Sequence, residues 1–281
     1  MKIALTIAGS DSGGGAGIQA DLKTFHQFGV FGTTVVVALT AQDTRGVRAV
    51  HPVPESMVAE QLAALAEDLP PAALKTGMLA NAGLVRQIAR AIAGYRWSRY
   101  VLDPVMAATS GDRLLDPAAE TVIRDLLVPL ALVVTPNLPE AAMLTGLEVR
   151  TPAQMELAGR RLLTLGARAA LIKGGHLAGE EITDILVTAG EIRHFRRPRL
   201  PGRSTHGTGC TLSAALTAGL AAGYPLEQAT ADGLDYVHRA IAAAPGLGQG
   251  HGPLNHTVPA RLHGGLPQGT TGPGAADPSS S

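Results

Sequence analysis

Two glycine-rich stretches, far apart in the chain, each run straight into a helix-like segment. Residues of the types that handle phosphate recur between them. The first is Gly9–Ser10–Asp11–Ser12–Gly13–Gly14–Gly15–Ala16–Gly17, ahead of a segment carrying Gln19, Asp21 and Lys23. Glycines let backbone approach a ligand closely, and the start of a helix offers unbonded N–H groups to an anion. Two familiar patterns fail here. The dinucleotide fingerprint G-x-G-x-x-G would need glycine at position 18, which is Ile18, and the Gly-Lys step of a P-loop is absent from the chain.

The second stretch, Ser204–Thr205–His206–Gly207–Thr208–Gly209–Cys210–Thr211, opens a small-residue helix. Backbone donors from Gly207, Gly209 and their neighbours would form a concave array suited to phosphoryl or oxyanion charge. Cys210 falls in the first helical turn, where a thiol pKa tends to drop, so a ready thiolate is the expectation. The plainer reading, a buried structural cysteine, is set against the glycines around it. A third set comprises Asp103 in LDPVM, Asn137 and Glu140 in TPNLPEA, and Lys173 in KGGH, each at the end of a strand-like run. Acidic side chains there can hold Mg²⁺, and a lysine can neutralise phosphate oxygens. Each also has a structural alternative: Asp103 as a turn cap before proline, Glu140 as a helix-start acid, Lys173 as a strand end. His251 and His256 lack a third ligand and make a poor metal site.

These residues need elements to position them. Strands are expected at Lys2–Ala8, Thr33–Thr40, Ala72–Thr76, Tyr100–Asp103, Leu132–Thr135 and Ala169–Lys173. Helices are expected at Glu55–Leu69, Asn81–Ala93, Pro117–Leu127, Thr151–Leu165, Gly209–Ala222 and Leu226–Ala244. Strands apolar on both faces and separated by helices imply a mostly parallel central sheet flanked by helices on both faces, with ligands at the carboxyl ends of the strands. Thr183–Val187 and Glu191–Phe195 read as an antiparallel hairpin near a sheet edge. One α/β domain over residues 1–262 is expected, followed by a disordered tail, 263–281, too poor in apolar residues to order itself.

The chain has 281 residues, 46 % of them hydrophobic, and equal numbers of basic and acidic side chains, 23 of each. That balance gives no electrostatic draw to nucleic acid or to an anionic membrane, and 3 % aromatics offers no base-stacking platform. The start MKIALTIAGS is too short an apolar run for a signal peptide, and no segment approaches a membrane span, so a cytoplasmic protein is expected. One cysteine excludes an internal disulfide.

Taken in order, AGSDSGGGAGIQADLKTF, TAQDTRGV, KTGML, LDPVM, TSGDRLL, TPNLPEA, KGGH and STHGTGCTLSAAL resemble the hydroxymethylpyrimidine/phosphomethylpyrimidine kinases of thiamine biosynthesis, members of the ribokinase-like superfamily. The resemblance runs from about residue 2 to His256. It implies a ribokinase-like fold, often homodimeric. It also implies transfer of the ATP γ-phosphoryl group to 4-amino-5-hydroxymethyl-2-methylpyrimidine, and then to its monophosphate. Substrate contacts would come from Ala16, Gly17, Asp21, Gln42 and Met78. Asn137, Glu140, Lys173, Thr205 and Thr208 would meet ATP, and Asp103 with Glu140 would hold Mg²⁺. Gly207 and Gly209 would form the anion hole beside Cys210, which stands where ribokinase relatives carry a catalytic aspartate. Thr109 replaces a lysine of some members, and Arg203–Ser204 replace Lys-Asn. Pyridoxal kinases share the fold and chemistry and are the nearest rival; a non-catalytic ligand sensor is a second.

Overall fold

The computed structural model describes residues 1–106 and 117–261. Nine strands among them form one sheet: β1 (Ile3–Asp11), β2 (Phe31–Asp43), β3 (Gly46–Pro52), β4 (Ala73–Thr76), β5 (Tyr100–Leu102), β6 (Val133–Val134), β7 (Ala169–Ile172), β8 (Glu181–Thr188) and β9 (Ile192–Pro198). Their order across the sheet is β3-β2-β1-β4-β5-β6-β7-β8-β9. From β2 through β7 every pairing is parallel, whereas β3 and the β8–β9 hairpin run antiparallel at the two edges.

Alternation along the strands explains why they read as continuous apolar runs. Leu5 and Ile7 pack into the core on one face and Ala4 into the core on the other; Tyr100 and Leu102 do the same against Val101. Helices α2 (Glu55–Asp68), α3 (Ala82–Gly94), α4 (Pro117–Val122), α5 (Leu138–Thr145) and α6 (Pro152–Thr164) lie on the first face. Helices α1 (Gly17–Gln27), α7 (Thr208–Ala222) and α8 (Leu226–Ala242) cover the second. A sheet buried on both sides has apolar side chains on both, so periodicity cannot distinguish its faces. No helix among the described residues is long and apolar enough to cross a membrane.

The main expected elements are present, with three differences. β3 was not anticipated, because its exposed Arg48 and His51 break the apolar pattern; pairing with β2 makes it an edge strand. The segment expected as one helix over Pro117–Leu127 stops as α-helix at Val122 and continues as a wider π-turn, Ile123–Leu127. The last helix ends at Ala242, two residues short of the expectation. Thr109, its TSGD motif and the tail at 263–281 lie outside the described residues.

Helix α7 is the element that most directly positions the site. It is built of small residues, and from Thr211 to Ala221 every one is buried. Gly219 lies so close to α8 that an added Cβ would fall 2.8 Å from the Ala229 Cβ. Close packing of this kind fixes the helix axis, and with it the direction in which its N-terminus points.

Beneath the carboxyl ends of the strands, Lys75 on β4 and Asp21 on α1 form a fully buried pair, Nζ to Oδ1 3.0 Å, with the Thr6 hydroxyl donating to the other carboxylate oxygen at 2.6 Å. Burial alone would discharge Lys75, but the Asp21 charge outweighs it and holds the ammonium up at about 12. Removing one partner strands the other in the core. Lys75→Met is therefore expected to cost about 3–5 kcal/mol in chemical denaturation, and adding Asp21→Leu to recover most of that loss.

Candidate functional site

The site is assembled from the carboxyl ends of β1, β5, β6 and β7 and the N-termini of α1, α5 and α7. Its centre is the Lys173 ammonium, 3.1 Å from Asp103 Oδ1 and 3.9 Å from Glu140 Oε2. Lys173 follows the last residue of β7, where its N–H donates to the Pro136 carbonyl at 2.9 Å and bridges the adjacent strand end at Asn137. Asp103 is buried and fully partnered: beyond Lys173, it accepts from Ser213 Oγ at 3.2 Å and Thr135 Oγ1 at 3.3 Å. Burial would raise its pKa, but Lys173 and Lys75 together hold it below the ordinary value. Burial pushes Glu140 the other way, up to about 7, with Asp103 adding to the push and Lys173 opposing it. For Lys173 itself, the neighbouring carboxylates outweigh burial and keep it protonated.

Asn137 and Glu140 also cap α5. The Glu140 N–H donates to Asn137 Oδ1 at 2.9 Å, and Glu140 Oε2 accepts the Asn137 N–H at 2.8 Å, a reciprocal capping box. The structural reading of Glu140 is thus realised without removing it from the centre, since the same Oε2 faces Lys173.

The second glycine stretch meets this centre. Gly207 is the N-cap of α7 with φ +83°, a left-handed conformation that suits glycine, and Gly209 lies where an added Cβ would be 3.2 Å from Lys173 Nζ. Thr208 turns its hydroxyl back to the Thr205 carbonyl at 2.7 Å. The first stretch comes equally close, since a Cβ on Gly207 would fall 1.8 Å from the Gly15 carbonyl oxygen. Cys210 stands in the first turn of α7, close to the buried Lys75 and to the Gly17 N–H at the start of α1. The expectation of a low-pKa thiol does not survive. Burial pushes Cys210 up to about 11, and the nearby Lys75 does not offset it.

Of the residues expected at the substrate end, Ala16 and Gly17 line the first loop, Gln42 sits half-buried at the end of β2, and the Met78 side chain packs over Gly9. Asp21 does not join them. Both its oxygens are spent on Lys75 and Thr6 below the loop, where it supports the site without a surface on the cleft. His251 and His256 do not pair as ligands: His256 is buried against the Thr211 hydroxyl at 2.9 Å. Among the described residues no group of three or more His, Cys, Asp or Glu is arranged to hold a metal. Asp103 and Glu140 are carboxylates of the kind Mg²⁺ takes alongside waters and phosphate oxygens.

Sequence reasoning passed over Asp11 and His206. Asp11 accepts the N–H groups of Gly13 (2.8 Å), Gly15 (3.1 Å) and Ala16 (2.8 Å), and its Oδ2 also lies 2.8 Å from His206 Nε2. His206 and the backbone N–H groups hold its carboxyl below the usual range against the effect of burial. One buried carboxylate therefore shapes the first loop and ties it to the second. An ionised Asp11 is acceptor-only, so the His206 Nε2 proton belongs to that bond. The Gln42 amide nitrogen, 3.4 Å from the same Nε2, is then not hydrogen-bonded to it. The signal was the histidine inside THGTGC, but no spacing links it to a residue 195 positions away.

The phosphomethylpyrimidine kinase family model matches residues 11–255. The chain belongs to that family. It is 49 % identical to the hydroxymethylpyrimidine/phosphomethylpyrimidine kinase of Rhizobium meliloti over 90 % of its own length and 96 % of the relative's. It is also 49 % identical to the thiamine biosynthesis bifunctional protein ThiED of Geobacter sulfurreducens, over 91 % of this chain but 52 % of that protein, so it spans about half of that longer relative. Among solved structures, an ADP complex of Bacillus subtilis pyridoxal kinase superposes with a TM-score of 0.86 at 37 % identity, covering 91 % of this chain and 97 % of that one. The ribokinase-like fold expected from the motifs is the fold observed.

In this kinase family member, His206→Phe fills the same space but cannot donate to Asp11. It is expected to lower kcat/KM by about 10- to 100-fold while the melting temperature moves by only a few degrees, measured by steady-state kinetics beside thermal denaturation.

Proposed function

We propose that the chain transfers the γ-phosphoryl group of ATP to the hydroxymethyl oxygen of 4-amino-5-hydroxymethyl-2-methylpyrimidine and then phosphorylates the resulting monophosphate to the diphosphate, as a kinase of thiamine biosynthesis. The observation that carries this is the meeting of Lys173, Asp103 and Glu140 with the N-terminus of α7, opposite the half-buried Gln42 amide. Each transfer forms a bond from an acceptor oxygen to the γ-phosphorus, breaks the bridging bond to the β-phosphate and releases ADP. The acceptor is the hydroxyl in the first step, which gives up its proton, and an ionised phosphate oxygen in the second.

The chain's own groups divide this work. Lys173 and the N–H groups around Gly207 and Gly209 neutralise and orient the transferring phosphoryl oxygens, which a loose transition state needs more than covalent help. Asn137, Thr205 and Thr208 stand along the same rim for ATP. Asp103 and Glu140 would hold Mg²⁺, which supplies further charge neutralisation when bound. Gln42, with both donor and acceptor atoms, reads the aminopyrimidine edge while Met78 and the Ala16–Gly17 backbone pack around the ring. The same reading includes a cytoplasmic homodimer, with the kinase domain ending near residue 262.

Cys210 is the proton acceptor in this scheme, and its thiol at about 11 sets how that must look. Only the small thiolate fraction serves, so kcat is expected to climb roughly tenfold per pH unit between pH 7 and 9. Cys210→Ala should abolish the slope. A flat profile in the parent enzyme would hand the step to charge neutralisation alone.

A second reading, phosphorylation of pyridoxal, is favoured by the close superposition on a pyridoxal kinase. Coupled ADP release with Mg·ATP, offering hydroxymethylpyrimidine, its monophosphate and pyridoxal separately, decides between them. Turnover of both pyrimidines with pyridoxal slow is expected; turnover of pyridoxal alone would replace the proposal, and no ADP release at all would point to a sensor.

A further inference from the structure

The eight residues between β7 and β8, Lys173–Gly174–Gly175–His176–Leu177–Ala178–Gly179–Glu180, carry the central ammonium at one end and three glycines, a composition that by itself leaves backbone free to wander. Two side chains from the β8–β9 hairpin hold it. Arg199, just past β9, spreads its guanidinium over three carbonyls of the loop: Nε donates to Gly179 at 2.8 Å, Nη1 to Gly175 at 3.0 Å, and Nη2 to Leu177. Its own N–H donates to the Glu180 carbonyl at 2.7 Å. At the other end, Asp184 on β8, buried and ion-paired to Arg197, accepts the Gly174 N–H at 2.8 Å. Gly174 is pressed against the strand so closely that an added Cβ would sit 1.9 Å from the Thr183 carbonyl oxygen.

Arg199 is bonded to carbonyl oxygens, and no carboxylate among the described residues forms an ion pair with it. Its charge is therefore felt on the loop. Burial, Lys173 and Arg199 together hold the His176 imidazole below its ordinary pKa. Arg199 also lies on the connection that leads from β9 into the Thr205–Gly209 turn, a few residues ahead of the second glycine stretch.

We propose that Arg199 and Asp184 are positioning residues of the kinase. They lace the glycine loop to the hairpin, so that Lys173 and the adjacent backbone stay in register with Asp103 and the α7 N-terminus when the nucleotide arrives. The inference rests on the reading of Lys173 as the phosphate-facing lysine. A planar fork can bridge three carbonyls at once, whereas a lysine ammonium cannot reproduce that geometry although it keeps the charge.

The test is steady-state kinetics of Arg199→Lys and Arg199→Met, varying ATP and hydroxymethylpyrimidine separately, with melting temperature and hydrogen exchange of the Leu177 amide, which bonds the Gly174 carbonyl at 2.9 Å, measured alongside. KM for ATP is expected to rise by about tenfold in both variants, with KM for the pyrimidine unchanged, kcat within about threefold and faster Leu177 exchange. Equal rises in both KM values, or a lowered melting temperature with both KM values unchanged, would overturn the proposal and leave Arg199 a purely structural residue. A parent enzyme that releases no ADP fails the kinase reading instead, and is seen before any variant is made.

Discussion

Everything at the active end of the molecule is arranged around one ammonium. Lys173 stands at the end of a central strand, faces two buried carboxylates, and is approached by the start of a helix whose own dipole is positive. The two carboxylates hold the ammonium in place, and the helix start sets backbone N–H donors beside it, an arrangement suited to phosphate oxygens. The strand order delivers this, since β5, β6 and β7 are adjacent and parallel, so that Asp103, Asn137 and Lys173 emerge side by side.

The opposite wall depends on a different charge. Asp11 gathers three N–H groups of its own loop and the ring of His206, so that two glycine stretches nearly two hundred residues apart in sequence become one surface. Below them the Lys75–Asp21 pair fastens α1 to the sheet. The two arrangements share a logic: a buried carboxylate is tolerable only when fully partnered, and the partners it demands are what fix the geometry.

Much of this was legible before any coordinates. The alternation of apolar strands with amphipathic helices gave the layered sheet, and the position of Asp103, Asn137, Glu140 and Lys173 after strands foretold a common rim. What escaped has identifiable causes. β3 carries exposed charge and has no apolar stripe. The thiol of Cys210 follows its burial and not its helix position, and burial is a property of the packed chain. The place of Asp21 depends on Lys75, and nothing in the sequence links two residues so far apart until the fold brings them together. His206 and Arg199 act through partners that only folding brings within reach.

The near contact of Gly207 with the Gly15 carbonyl leaves no space for any side chain between the two loops. That half of the cleft is closed to evolutionary experiment, because almost every substitution there would push the loops apart. The end proposed to receive the ring is different: Gln42 is half-buried at a strand terminus, and Met78, though buried against Gly9, is a flexible side chain that neighbouring groups can accommodate when it changes. On the proposed reading, a lineage built on this scaffold can change what its ring end accepts by trading a few side chains there, while the glycine loops that meet the phosphoryl group are inherited intact.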